Sequence, residues 1–106
     1  MSFTGSDAVG WKIKEEASRR RVLLELGGNA AAIVCADANV RGAASKLAIA
    51  AFAYAGQVCI KAQRILVAKE VERDFLDVFL EESRKITPRD PSDPSTILGP
   101  MIDEES

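Results

Sequence analysis

Two residues in this sequence have side chains and neighbours that suit covalent catalysis, and the first is Cys59. It follows Gly56-Gln57-Val58 after a long apolar segment, so it falls in a loop, where rigid scaffolds commonly carry reactive groups. A cysteine attacks as the thiolate, and an unperturbed pKa of about 8.5 leaves only a few per cent in that form at neutral pH. The chain has no histidine, so backbone amides, a lysine or a cationic cofactor must stabilise the thiolate. The competing interpretation of Cys59 is a small core hydrophobe.

Glu25 is the second candidate. It stands between Leu24 and Leu26 in a short apolar run, which predicts a buried strand, and Gly27-Gly28 follow it. A carboxylate held among leucines is destabilised in its charged form, which favours general-base chemistry. The glycines permit close backbone approach or positive φ, so a ligand could lie beside this turn. The competing interpretation is a strand-end carboxylate that reaches solvent.

The absence of histidine excludes two other kinds of catalytic site within this chain. A Ser-His-Asp triad and a Cys-His pair both require an imidazole. The cysteines, Cys35 and Cys59, and the carboxylates do not stand at the spacing of metal ligands, so we expect no metal site. Cys35 ends an apolar segment and is predicted to be a core thiol. Two cysteines without a disulfide framework favour a reducing, cytoplasmic setting.

Composition and charge limit the partners of this chain of 106 residues. Hydrophobic residues make up 47% and charged residues 28%, which are ordinary values for a globular protein. The net charge of −2 leaves no basic excess, so we expect no nucleic acid partner. The longest apolar stretch, residues 47–56, is too short to span a bilayer, and the N-terminus shows no signal-peptide pattern. We therefore expect no association with a membrane.

The elements that must position Cys59 and Glu25 follow from apolar periodicity and from turn residues. The segment of residues 1–10 has a loop-like composition, and Ser6 within it is predicted to be the N-cap of the first helix. Asn39 is predicted to cap a helix that is apolar on most faces, is buried between layers and ends at Gly56. The predicted helices are residues 7–18, 40–55 and 71–85, and the predicted strands are residues 22–26, 30–35 and 64–68. Strands that alternate with helices indicate an α/β architecture with mainly parallel pairing.

The order of several short motifs resembles the aldehyde dehydrogenase superfamily. These motifs are Phe3-Thr4-Gly5-Ser6, Glu25-Leu26-Gly27-Gly28-Asn29, Gly56-Gln57-Val58-Cys59, Arg64-Ile65 and Leu98-Gly99-Pro100-Met101-Ile102. The resemblance covers essentially the whole chain and implies a segment of that fold. The second and third motifs are its most specific signals. Lys61, where the family usually has a small residue, and Arg89, where glycine is common, are departures from its pattern.

The resemblance implies the catalytic roles. Cys59 would be the nucleophile that attacks the aldehyde, and its own backbone amide would be one donor of the oxyanion hole. Glu25 would activate the water that releases the acid. The implied reaction oxidises a small aldehyde to a carboxylic acid through a cysteine thioester.

The resemblance also implies a cofactor, NAD or NADP. The backbone around Leu26 would lie near the nicotinamide, and Thr4 and Gly5 would also approach it. Ser6 would meet the pyrophosphate at the helix N-terminus. Residues 1–26 would then end the NAD(P)-binding domain, and residues 27–106 would begin the catalytic domain.

Complete members of that family are several times longer than this chain. We therefore expect the chain to be a segment that is inactive alone, and the intact enzyme to be a homo-oligomer. Two alternatives remain open from the sequence. One is a relative that passes the thioester to coenzyme A, although such relatives generally lack a glutamate in the position of Glu25. The other is a small α/β binding or scaffold module without catalysis, in which the core cysteine should be inert.

Overall fold

The elements of the chain alternate between strand and helix, as the periodicity predicted. The computed structural model describes residues 1–105. Short 3-10 turns lie at Ala53–Gly56 and Lys69–Val71. The elements in chain order are β1 (Ser2–Thr4), α1 (Asp7–Glu16), β2 (Leu23–Glu25), β3 (Ala30–Val34), α2 (Val40–Phe52), β4 (Ala62–Val67) and α3 (Glu72–Lys85).

The strands pair in parallel. β1 pairs with β2 and β3 pairs with β4, so within residues 1–105 the chain forms a pair of two-stranded sheets. Parallel neighbours need a crossover connection, which α1 supplies for the first sheet and α2 for the second. The predicted α/β class with parallel pairing is therefore confirmed.

The core lies where α2 and α3 pack against one face of the second sheet. Val34, Ala44 and Phe75 form its buried centre, and Phe75 stacks on Phe79 with ring centroids 5.5 Å apart. Ile65, Val67, Val78 and Leu47 pack around that centre. Strand side chains alternate between faces, so the neighbouring β3 and β4 positions point to the other face.

Several elements differ from their predictions in extent. Residues 2–4, predicted as loop, form β1, because three residues carry no periodic signal of their own and the pairing with β2 supplies the strand. α1 ends two residues early, since Ser18 takes a left-handed φ of 54°. α2 ends at Phe52, because Tyr54 and Ala55 also take left-handed φ values of 55° before Gly56 is reached.

Burial was the least accurate part of the prediction. β2 is not a buried strand: its Leu23 is 65% exposed. Only Ala44 and Ala48 of α2 are buried, so this helix has one covered face rather than cover on most sides. Cys35 is an exposed free thiol and not a core thiol, because β3 ends at Val34, which takes the inward position.

The cap of α2 is as predicted. The Asn39 side chain accepts a hydrogen bond from the amide of Gly42 at 3.0 Å. No helix in the part of the chain that the structure describes is long and apolar enough to cross a membrane.

Candidate active site

A cleft of about 1350 Å³ lies where the two sheets approach each other. Its wall comes from five segments: the turn from β1 into α1, the end of β2 with the segment that joins it to β3, the loop after α2, the start of β4, and Ile102 near the C-terminus. All six residues for which the sequence predicted a catalytic or cofactor role line this cleft, namely Thr4, Gly5, Ser6, Glu25, Leu26 and Cys59. The structure thus brings together motifs that are widely separated in the sequence.

The carboxyl ends of β1 and β2 form one side of the cleft. Thr4 and Glu25 are direct partners in the parallel ladder, and the amide of Gly5 donates to the carbonyl of Glu25 at 3.1 Å. Ligands of open parallel sheets commonly bind outside this edge. The pairing explains why residues from the first and second motifs meet.

The first turn of α1 faces the same space. Ser6 occupies the N-cap position, as predicted, but its hydroxyl makes no capping bond. The Asp7 carboxylate instead accepts from the amide of Ala8 at 2.8 Å. α1 is held against the cleft wall by Gly10, which is buried and lies so close to Leu26 that a Cβ there would approach its Cδ2 to 2.5 Å.

The loop that carries Cys59 is built from backbone hydrogen bonds. The amide of Tyr54 donates to Ile97 at 2.9 Å, and the amide of Gln57 donates to Tyr54 at 3.0 Å. The amide of Lys61 donates to Val58 at 3.0 Å, which makes a turn with Cys59 inside it. Cys59 is exposed at this turn as a free thiol. The loop position that the sequence predicted therefore leaves the sulfur accessible.

Gly28 brings the second motif into backbone contact with the nucleophile candidate. A Cβ on Gly28 would collide with the carbonyl oxygen of Cys59, whereas a Cβ on Gly27 would meet nothing within 4 Å. Neither glycine has a positive φ. The sequence offered two reasons for these glycines, close backbone approach and a positive φ. Close approach is the one that applies, and it applies at Gly28.

Glu25 does not have the apolar setting that its neighbours in sequence suggested. It is exposed on the cleft side of β2, because strand alternation points Leu24 the other way. Within residues 1–105 its carboxylate makes no hydrogen bond or ion pair. The acceptor positions of Glu25 are therefore available to a water molecule in the cleft.

Two polar residues near Cys59 were not assigned roles from the sequence. Lys61 folds back over Gly56, so that a Cβ on that glycine would lie 3.1 Å from its Nζ. Gln63 lines the cleft at the start of β4. Neither placement has a signal in the sequence, since both depend on the turn at Cys59 and on the register of the sheet. No group of three or more potential metal ligands occurs in the described part of the chain.

The comparisons with known proteins identify the family of this chain. The chain belongs to the aldehyde dehydrogenase family, whose model matches residues 1–106. It is 41% identical to a vanillin dehydrogenase of Corynebacterium glutamicum over 98% of its length. It is 42% identical to a lactaldehyde dehydrogenase of Methanococcus maripaludis over 100% of its length. These matches cover 22% and 23% of the two relatives, so the chain spans under a quarter of each.

The fold is shared with solved structures of the family. A crystal structure of an NAD-dependent aldehyde dehydrogenase from Sinorhizobium meliloti superposes with a TM-score of 0.88 at 40% identity. That superposition covers 98% of this chain and 21% of the other. The alternation of strands and helices described above is thus a segment of the aldehyde dehydrogenase fold.

Proposed function

We propose that this chain is the part of an NAD(P)-dependent aldehyde dehydrogenase that carries the nucleophile, Cys59, and the deacylation base, Glu25. The observation that carries the proposal is the single cleft that both residues line, with Gly28 packed against the backbone of Cys59. The family to which the chain belongs, and relatives named as dehydrogenases of vanillin and lactaldehyde, support the same reaction class.

The proposed chemistry uses Cys59 first and Glu25 second. The Cys59 thiolate adds to the aldehyde carbonyl and forms a thiohemiacetal, whose oxyanion accepts a hydrogen bond from the Cys59 amide. Loss of hydride from that adduct leaves a thioester on Cys59. Glu25 takes a proton from a water molecule as the oxygen of that water attacks the thioester carbonyl. The carboxylic acid leaves, and the thiolate of Cys59 is restored.

The residues at the N-terminus of α1 fit a dinucleotide. Thr4, Gly5 and Ser6 lie at the cleft edge, and the Ser6 hydroxyl has no capping bond. The first-turn amides of α1 suit a phosphate, apart from that of Ala8, which donates to the Asp7 carboxylate. Leu26 would support the nicotinamide end, since it is wedged against Gly10. When bound, NAD or NADP supplies the hydride acceptor.

The domain division, location and assembly belong to the same proposal. The boundary between residues 26 and 27 falls between the two sheets, which supports its assignment as the junction of the cofactor and catalytic domains. The free thiols of Cys35 and Cys59 are consistent with a cytoplasmic location. The exposed apolar side chains Ile33 and Leu66 support cover by other parts of a homo-oligomeric enzyme.

The test uses the full-length enzyme that contains this segment. An aldehyde and NAD or NADP are added, the reaction is quenched early, and peptide mass spectrometry looks for an acyl group on Cys59. We expect acylated Cys59 in the wild type and none in Cys59→Ser, with formation of reduced cofactor that coenzyme A does not accelerate. Near-normal turnover by Cys59→Ser would refute the proposal, and acceleration by coenzyme A would favour the acyl-transferring class.

The 106-residue chain alone should form no reduced cofactor steadily, because catalysis requires the cofactor to be held against the adduct.

A further inference from the structure

The start of β4 contains an irregularity of register. Ala30 pairs with Ala62, but the next residue of β3, Ala31, pairs with Arg64. Gln63 is therefore the extra residue of a β-bulge, a device that bends a strand and re-aims a side chain, often beside an active site.

The bulge lies close to the nucleophile candidate in space. The Val58–Lys61 turn reverses the chain directly after Cys59, so β4 begins beside the loop it has just left. Gln63 consequently lines the same cleft as Cys59. Among the described residues its carboxamide makes no hydrogen bond, so one carbonyl acceptor and two N–H donors are available to a ligand.

The charged residues of the cleft indicate which kind of substrate group could bind to Gln63. Asp7 and Glu25 line it, no lysine or arginine within residues 1–105 does, and the Lys61 side chain packs over Gly56 instead. In the proposed function the amides at the start of α1 serve the dinucleotide, so a phosphate or carboxylate on the substrate would need an arginine or lysine of its own. A neutral hydroxyl, which both donates and accepts, matches a carboxamide instead.

We propose that Gln63 is a specificity residue that hydrogen-bonds a hydroxyl group carried near the aldehyde carbon of the substrate. This inference rests on the proposed function, because it requires an aldehyde at Cys59. A site built to hydrogen-bond a substrate hydroxyl discriminates against the analogue that lacks it, since the polar group of the site then loses its partner.

The experiment compares glycolaldehyde with acetaldehyde, which differ by one hydroxyl, on the full-length enzyme. Gln63→Met keeps the unbranched length and removes the amide. We expect the ratio of kcat/KM values, glycolaldehyde over acetaldehyde, to fall about 2- to 13-fold in this variant, which is the usual net contribution of one neutral hydrogen bond. Lys69→Met is the matched control, since Lys69 follows the same strand, is exposed and lies outside the cleft, and it should leave the ratio unchanged.

A second readout separates this inference from the reaction itself. Without cofactor, an aldehyde that adds reversibly to Cys59 protects it from iodoacetamide, so the same preference is measured as the ratio of the protecting concentrations of the two aldehydes. We expect Gln63→Met to lose the preference for glycolaldehyde there as well. An unchanged ratio in both assays, or a raised KM for the dinucleotide with aldehyde preference intact, would overturn the assignment of Gln63. A wild type that forms no acyl group on Cys59 with any aldehyde would refute the proposed function, while the protection ratio would still test Gln63.

Discussion

Replacement of Gly28 by alanine tests the contact that joins the two motifs of the site. An ideal Cβ on Gly28 would overlap the carbonyl oxygen of Cys59 and lie 3.2 Å from its carbonyl carbon. The atoms it meets belong to the backbone, so no rotation of a side chain relieves the overlap. The two segments must move apart by about 1 Å to reach ordinary van der Waals separation.

The size of the effect follows from that displacement. Overpacking a close contact costs about 1–3 kcal/mol, which lowers stability moderately. Misplacement of a reacting atom by about 1 Å is expected to cost about 10²-fold in catalysis. Gly28→Ala should therefore lower kcat/KM about 10²-fold, an effect larger than its loss of thermal stability would produce.

The assay measures the rate at which iodoacetamide modifies Cys59, followed by peptide mapping, alongside kcat/KM and a melting temperature. Gly27→Ala is the matched control, because a Cβ there meets nothing within 4 Å, and it should leave the alkylation rate of Cys59 unchanged. Gly28→Ala should change that rate while the protein remains folded. If iodoacetamide modifies Cys59 at the wild-type rate in both variants and Gly28→Ala keeps its kcat/KM, the close approach does not position the nucleophile. That result would refute the reasoning.

Three further outcomes are expected in the full-length enzyme. Glu25→Gln should give a stoichiometric burst of reduced cofactor and then a steady state about 10²–10⁴-fold slower, because only deacylation needs the base; loss of the burst would assign Glu25 to another step. Cys59→Ser should abolish turnover, whereas Cys35→Ser should be close to wild type in a steady-state assay, since Cys35 is exposed outside the cleft; equal losses would contradict the assignment. Phe75→Ala should destabilise the domain by about 3–5 kcal/mol in a denaturant titration, well beyond the effect at half-exposed Leu76→Ala, and comparable losses at both positions would show that Phe75 does not centre the core.

Local features of the sequence predicted the local structure well. The Asn39 cap, the alternation of strands with helices and the period of α3 all depend on residues within one or two turns of each other. Predictions that needed knowledge of a partner failed. β1 carries no pattern of its own, and the exposure of Cys35 depends on which residue of β3 takes the last inward position.

The same distinction applies to the site. The residue types at Cys59 and Glu25, with the glycines beside them, are local features, and they make these residues the candidate nucleophile and base. Their presence in one cleft is a tertiary fact, produced by the pairing of β1 with β2 and by the contact of Gly28 with the Cys59 backbone. The apolar environment predicted for Glu25 was wrong, because neighbours in a strand point to opposite faces.

The sequence by itself determined the class of fold and the side-chain types of the candidate site, because side-chain type and hydrophobic period are local properties. Tertiary structure alone decided that Gln63 enters the cleft and that Gly28 must lack a side chain. Both follow from the register of a sheet and the approach of two backbones. Such distances are set by the packing of whole elements, which no short run of residues encodes.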